Sequence, residues 1–511
     1  MTQRYRIIFQ TYDDNAPNAI LTQEALLEDS LNPPTSCLDF SMGLEKQLAL
    51  IQKAQDCVVD KKVKLLQEGK NNCPKCQKKL HKFGTRQSIF HDVFTDHKLT
   101  IQRLKCKGCG YDAPATVKTI INTTQSGDLK KIQATLGATH TYREGEKIFE
   151  LFSMRSRRIN NHDRIKHVTE SIGAVIEKIG ETEKDVTVAD AAMELVLNVD
   201  GGHINTVEPG KRSMEAMASV VYRPEAICSN GKDTRNYLSS KSCAASVNDD
   251  NQQIISGTII AALKQGLTDK THVTALCDGA ANCWNVVEAV RPLCGDMTCI
   301  LDWFHVAMKI ENISLPKKLK QKLMRIKWHL WRGNVDNALT RLEQLIESSK
   351  DQKHSTRTAI PAGDSCAVFP DGSNAIADPP RECDDGPLGE ESPTEGKTAS
   401  NSTKKLDVDP SGSVVSASAG IAGTRIKKFS KYISKNRDKI VNYKEREKSG
   451  LVFTSQLAES TVESLINRRC KGQQHMRWSR EGLSPLLQLR AAINSKDDWE
   501  SKWKMAIINA A

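Results

Sequence analysis

The chain has 511 residues, 73 Lys and Arg against 62 Asp and Glu, and a formal charge of +11. Its 39% hydrophobic content fills at least one core, which excludes a wholly disordered chain, and its length suits about three domains. No apolar run reaches the ~18 residues of a membrane span, and the start (MTQRYRIIFQTYDDN) has no hydrophobic signal core. Membrane insertion and secretion are therefore not expected, and the predicted compartment is the cytoplasm.

Residues 1–40 are polar and weakly patterned. In 41–69, Leu44, Leu48, Ile51 and Val58 fall near helical spacing and Gly69 can end the helix, so 1–69 reads as a helical and flexible N-terminal region. Residues 70–125 hold two CxxC pairs, Cys73-Pro-Lys-Cys76 and Cys106-Lys-Gly-Cys109, with residues 77–105 between them. A two-residue spacer lets a tight knuckle point both thiolates at one ion, and four such sulfurs satisfy tetrahedral Zn²⁺. Gly108 and Gly110 suit a knuckle whose backbone turns through positive φ. The alternating stretch KLTIQRL reads as part of a hairpin that would join the pairs into a zinc-ribbon-like module. His81 and His91 are alternative ligands, but four sulfurs already suffice. Fifteen cysteines without a signal segment fit scattered thiols and a metal cluster better than a disulfide framework. Lys75, Lys105 and Lys107 crowd the knuckles and give the module positive charge.

Residues 126–190 read as a helical DNA-binding or linker region, with a charged turn at Arg155–Arg164. Four short hydrophobic runs follow: MELVLNVD, AMASVVY, HVTALCD and MTCILD. Helical stretches lie between and after them, which predicts an α/β domain with a mixed sheet over 191–305. Residues 306–459 are mostly helical and basic. Within them 351–424 is rich in Gly, Pro, Ser and Asp, lacks apolar periodicity, and is expected to be disordered. Residues 460–500 read as closing helices. Charge is uneven: Lys53–Lys118 holds 15 basic and 6 acidic residues, Arg425–Lys448 holds 10 and 3, and Asp351–Pro410 reverses to 6 and 12. Two basic regions flanking an acidic one suit a polyanion partner.

Asp200, Asp278 and Asp302 each close a hydrophobic run. Carboxylates at strand ends can converge on one sheet edge, where they repel unless cations such as Mg²⁺ or Mn²⁺ are shared among them. The alternative for each is a helix cap or a turn. His305 follows Asp302 closely, to position a phosphate or to stabilise the fold. Trp478, beside Arg477, either stacks on a base or fills a core, and the core role is expected.

Strand-Asp200, strand-Asp278-Gly279, LDWFH at 301–305 and STVESLINRRCKGQQHMRWSREG at the C-terminal end together resemble bacterial insertion-sequence transposases of the DDE type, in the mutator-like and related groups. The resemblance covers most of 65–500 and implies a ribonuclease H-like catalytic domain with a helical insertion, plus the N-terminal zinc-ribbon-like module. It makes Asp200 and Asp278 the first two catalytic acids and Glu463 the third, with Glu481 a lower-ranked candidate. Asp302, His305 and Arg468 are the supporting residues it suggests. Glu463 and Asn467 would share a helix face at i,i+4, with Arg468 and Arg469 beside them. Where the family often has glycine beside the serine, this chain has Glu459-Ser460-Thr461.

What the resemblance implies is Mg²⁺- or Mn²⁺-dependent cleavage of 3′ ends and their transfer into target DNA. Zn²⁺ would be structural, and Lys75, Lys105, Lys107, Arg469 and Arg477 would contact DNA. The partners would be double-stranded DNA, as terminal inverted repeats and as target, and a second copy of the chain on that DNA, in the nucleoid. Two other readings compete. One is a catalytically inactive, transposase-derived DNA-binding protein, and the other is a ribonuclease H-like nuclease.

Overall fold

A computed structural model describes the chain except residues 1–2, 38, 69–71, 114, 154–155, 183–189, 230–235, 248–250, 316, 356–413, 472–475, 496–498 and 510–511. The chain is a mixed α/β protein of two units. The first comprises residues 1–184, 204–214 and 465–511, and the second 185–203 and 215–464.

In the first unit, β1 (Gln3–Asp13) and β2 (Ala16–Leu31) form a long antiparallel hairpin. This corrects the helical and flexible reading of 1–69. Tyr5, Ile7, Phe9 and Thr11 are the half-buried residues of β1, an alternation diluted by the exposed Ile8 and Tyr12. The turn is set locally, by Asn15 N–H donating to Asp13 Oδ1 at 2.9 Å. Helix α1 (Leu44–Glu68) follows as expected, and its Val59 and Val63 pack on buried Leu99 and Ile101. Those two belong to β4 (Asp96–Lys105), which lies between β3 (His81–His91) and β5 (Asp112–Ala113) in a three-stranded antiparallel sheet.

Helix α2 (Val117–Ile121) ends the 70–125 segment, and α3 (Gly127–Thr139), α4 (Tyr142–Ser153) and α5 (His162–Thr182) fill the predicted helical region 126–190. Ser126 caps α3 by accepting from Leu129 N–H at 3.2 Å.

The second unit is built on a five-stranded sheet of order β10-β7-β6-β11-β12. Its strands are β6 (Glu194–Asn205), β7 (Ser213–Tyr222), β10 (Ser242–Ser246), β11 (His272–Cys277) and β12 (Asp296–Leu301). A short hairpin of β8 (Ile227–Ser229) and β9 (Asn236–Leu238) intervenes before β10. β10 runs antiparallel to β7, whereas β11 is parallel to both β6 and β12. Parallel strands are covered on both faces, which is why β6 and β11 read as continuous apolar runs. Helices α6 (Gln252–Lys264) and α7 (Ala281–Val290) supply Ile254, Ala261, Val286 and Val287 to a core with Leu195, Leu197, Val199, Val273 and Ala275.

Among the described residues six helices follow: α8 (Trp303–Glu311), α9 (Lys317–Trp331), α10 (Val335–Ser355), α11 (Val414–Lys435), α12 (Tyr443–Lys448) and α13 (Gln456–Val462). Helices α10 and α11 reach into both ends of 351–424, which was expected to be disordered. Its remainder, 356–413, lies outside the described residues. Trp303, Trp331 and Tyr443 form an aromatic knot, with ring centroids 4.7 Å apart for Trp303–Trp331 and 4.9 Å for Trp303–Tyr443. Tyr443 Oη donates to the Leu301 carbonyl at 2.7 Å, which fastens α12 to the end of β12.

A π-helical turn, Glu463–Asn467, leads into α14 (Arg468–Cys470), α15 (Arg480–Asn494) and α16 (Trp499–Asn509). These last helices were expected to close the catalytic domain, but they group with the first unit. The reason is packing: a Cβ on Gly173 of α5 would strike the Pro485 carbonyl of α15, so only glycine allows the two backbones this close. Among the described residues no helix is long and apolar enough to cross a membrane.

Candidate metal centres

The cysteine cluster assembles as the spacing predicts. Cys73 Sγ lies 3.5 Å from Cys109 Sγ, and Cys76 Sγ lies 3.5 Å from Cys106 Sγ. All four sulfurs lie within 4.8 Å of one another. Tetrahedral Zn–S bonds of ~2.3 Å would set sulfurs about 3.8 Å apart, so the donor set fits zinc. The two knuckles repeat one backbone pattern. Gln77 N–H donates to Cys73 O at 2.9 Å and Gly110 N–H to Cys106 O at 3.0 Å. Both residues have positive φ, 58° at Gln77 and 74° at Gly110. The requirement therefore falls on Gly110 and not on Gly108, where a Cβ would instead crowd the Lys78 side chain.

Backbone N–H groups of Cys109 and Gly108 aim at Cys106 and, against burial, hold its thiol down at about 6. At Cys73 burial pushes the thiol up, yet the N–H groups of Cys76 and Lys75 outweigh it and the net shift is downward. His91 is not a ligand: its Nδ1 sits 2.8 Å from Asp96 Oδ1. Lys75 lies over the Tyr111 ring at 5.7 Å and Lys105 over Phe83 at 4.8 Å, while Lys107 is exposed.

The second centre is a consequence of strand register. Val199 of β6 is opposite Cys277 of β11, which is opposite Leu301 of β12. Asp200, Asp278 and Asp302 each come one residue later, just past the parallel register and side by side on neighbouring strands about 4.8 Å apart. Asp278 and Asp302 follow the last residues of β11 and β12, but β6 runs on to Asn205, so Asp200 lies within its strand and does not close it as expected. Beyond that row their environments diverge.

Asp302 is fully buried and its oxygens are engaged. It accepts from Phe304 N–H (3.2 Å), Ser455 N–H (2.8 Å) and Ser455 Oγ (2.5 Å). It therefore caps α8 and ties down the start of α13, the structural alternative for a strand-end aspartate. Asp278 spends Oδ1 on Ala280 N–H at 2.8 Å. Next to it Gly279, at φ 91°, must be glycine, because a Cβ would meet Tyr432 and Asn436. Tyr432 Oη in turn donates to the Asp278 carbonyl at 2.8 Å, so α11 braces this turn.

Asp200, 7% exposed, is pushed upward in pKa by burial, against the pull of His305; the charges of Asp278 and Asp302 add to the rise. Glu459, in sequence only a departure from glycine beside Ser460, joins it. Ligand atoms of Asp200, His305 and Glu459 all lie within 4.8 Å of one another. Burial raises Glu459 to about 7, helped by Asp200's negative charge. Glu459 Oε2 is buried without a hydrogen-bond partner among the described residues. An orphaned carboxylate oxygen facing an aspartate and an imidazole is the chemistry of a divalent-cation site, and these residues fit one. His305 Nε2 is 3.6 Å from Asp302 Oδ2, so the structural aspartate also orients the imidazole.

Glu463 is exposed and begins the π turn, so its i,i+4 relation to Asn467 is replaced by wider π spacing. Arg468 and Arg477 are exposed. Arg469 is not available to DNA. It is buried, donates from Nε to Gly137 O at 3.0 Å, and lies 5.0 Å from the centres of both the Tyr142 and Trp478 rings. Trp478 is a core residue as expected, its Nε1 donating to Cys470 O at 3.4 Å. Glu481 belongs to the first unit, in the exposed first turn of α15, where backbone N–H and Ser479 lower its pKa. Neither a scan against protein-family models nor a search of curated proteins returns a match for the chain.

Proposed function

We propose that the chain is a DNA transposase of the DDE type, with a ribonuclease H-like catalytic domain in its second unit. The observation that carries this reading is the shared register row. It sets Asp200 and Asp278 side by side where the parallel pairing of β6 with β11 ends. The sheet supports it as well. Numbered from β6, its strand order is 3-2-1-4-5; the third strand is antiparallel to the second, and the fourth and fifth run parallel to the first. The sequence resemblance puts the third carboxylate at Glu463, after the helical insertion 306–459; Glu459, which lies with Asp200 and His305, is the other candidate.

On this reading Asp200 and Asp278 hold divalent ions of the Mg²⁺ or Mn²⁺ class, together with Glu463 or Glu459. Such ions, when bound, activate an attacking hydroxyl and stabilise a leaving 3′ oxygen. The chain's own contribution is placement. The β6 and β11 backbones fix two carboxylates, Tyr432 braces the Asp278 turn, and Asp302 holds both His305 and the start of the glutamate-bearing helix. The basic zinc-ribbon-like module and α11 present positive charge for the terminal repeats and target DNA. Cutting two ends together calls for a second copy of the chain.

The test uses a plasmid carrying the DNA that flanks the gene, incubated with the full chain and Mg²⁺ or Mn²⁺. Metal-dependent nicking and strand transfer are expected, and both should vanish in Asp200→Asn and Asp278→Asn while DNA binding persists. Glu459→Gln and Glu463→Gln, compared in the same assay, identify the third acid. Binding without any cleavage by the wild type would refute the enzyme reading in favour of an inactive DNA-binding derivative.

A further inference from the structure

The first unit contains a cavity of about 280 Å³ between α2, the loop after it, α3 and α5. Lys118, Lys130, Arg164 and His167 line it, and among the described residues no acidic one does. Lys130 is 7% exposed and enters from the first turns of α3, whereas Lys118, Arg164 and His167 are exposed. Three sides of one small space thus converge positive or protonatable groups on a polar interior that includes Thr123 and Gln125. Two independent features hold the polar wall in place. Asn122 takes a left-handed conformation (φ 59°) that turns the chain out of α2. Then His91 N–H donates to Thr124 O, and Ser126 N–H to His91 O, both at 2.8 Å, pinning the loop to the end of β3.

Like-charged groups around one space are unfavourable to one another, and burial disfavours the ammonium of Lys130, whose pKa is lowered by desolvation. An anion of matching size offsets the repulsion among them. Arginine offers two parallel donors to phosphate oxygens, and a lysine acts as a point charge beside them.

We propose that this cavity binds a phosphate group. Resting on the transposase reading, that phosphate is one of the DNA backbone, and the cavity fixes the duplex on the first unit independently of the cysteine knuckles. A free phosphate or pyrophosphate would meet the same groups, so the experiment separates the two sources.

The full chain is compared with Lys130→Met, which keeps side-chain length without charge, and with the surface variant Arg164→Gln, which leaves the core untouched. Lys270→Gln, an exposed lysine of the second unit, controls for loss of one charge. Thermal shift with inorganic phosphate and with pyrophosphate reads the free anion. Fluorescence anisotropy with a duplex, from about 50 to 200 mM salt, reads DNA.

Both cavity variants should weaken duplex binding roughly tenfold at low salt. The log–log salt slope should fall by about 0.9, the loss of one phosphate contact, while Lys270→Gln changes neither. Stabilisation by phosphate or pyrophosphate that both cavity variants abolish, with duplex binding unaffected, supports the phosphate site with a free anion as its ligand. Cavity variants that match Lys270→Gln toward both phosphate and DNA overturn the proposal, even if the wild type binds DNA well. A wild type that binds no DNA but loses phosphate stabilisation in Lys130→Met keeps the cavity and removes the DNA reading.

Discussion

Ser455→Ala isolates the role that separates Asp302 from Asp200 and Asp278. Ser455 Oγ sits 2.5 Å from Asp302 Oδ2, both residues are at most 1% exposed, and Ser455 makes no side-chain cap on α13. The substitution therefore removes one bond to a buried carboxylate and no helix cap. A hydrogen bond to a charged group contributes about 1.5–3 kcal/mol, and an oxygen left short of a donor in the interior keeps its desolvation cost. The Ser455 N–H bond at 2.8 Å survives, so the loss should stay within that range. For a unit of this size, each kcal/mol shifts melting by about 2–4 °C, giving an expected drop of about 3–12 °C in the second unit's transition.

Differential scanning calorimetry of the full chain reads it. Asp302→Asn provides the second edge of a double-mutant cycle: with the charge gone, adding Ser455→Ala should cost clearly less than it does in the wild type. A Ser455→Ala protein that melts within 1 °C of the wild type would refute the argument, and so would strict additivity in the cycle.

Two further outcomes are expected. The full chain should carry close to one zinc per molecule by metal analysis, and Cys73→Ser with Cys106→Ser should lose it and loosen β3–β5, seen as faster amide exchange there; full retention of zinc would show that these sulfurs are not the ligands. In the first unit, burial alone would lower His97, but Asp92 and Asp56 reverse this and raise it, and Nδ1 lies 2.6 Å from Asp56 Oδ1. A raised folded pKa adds stability that is complete below the unfolded value of about 6.5 and is lost as pH climbs through the folded value. His97 in turn holds Asp92 at about 2, a contribution lost only as pH falls toward that value. Denaturant midpoints should therefore decline above about pH 6.5, and His97→Gln should flatten that decline; an unchanged slope would contradict the assignment.

Much of the chemistry was legible locally. Each CxxC pair builds its own knuckle, because the backbone bond that closes it, Cys73 O to Gln77 and Cys106 O to Gly110, spans only four residues. The hydrophobic runs ending in Asp200, Asp278 and Asp302 marked strands of a mixed α/β sheet, while their parallel pairing, which buries such runs on both faces, came from the fold. The N-terminal hairpin was not legible, because exposed Ile8 and Tyr12 blur its alternation and the ladder rather than a core defines it.

Three assignments needed the tertiary structure. In sequence the three aspartates look alike; only Ser455, 153 residues away, turns Asp302 into a buried cap. Glu459 reads as a local departure from glycine until folding carries it beside Asp200 and His305. Arg469 stands next to Arg468 in the chain, yet one is buried on Tyr142 and Trp478 and the other is exposed. The reason is physical: spacing along the chain determines which groups can turn toward one another over a few residues. Whether a charge ends in water, in a carboxylate cluster or under an aromatic ring depends on segments hundreds of residues apart that meet only in the folded units.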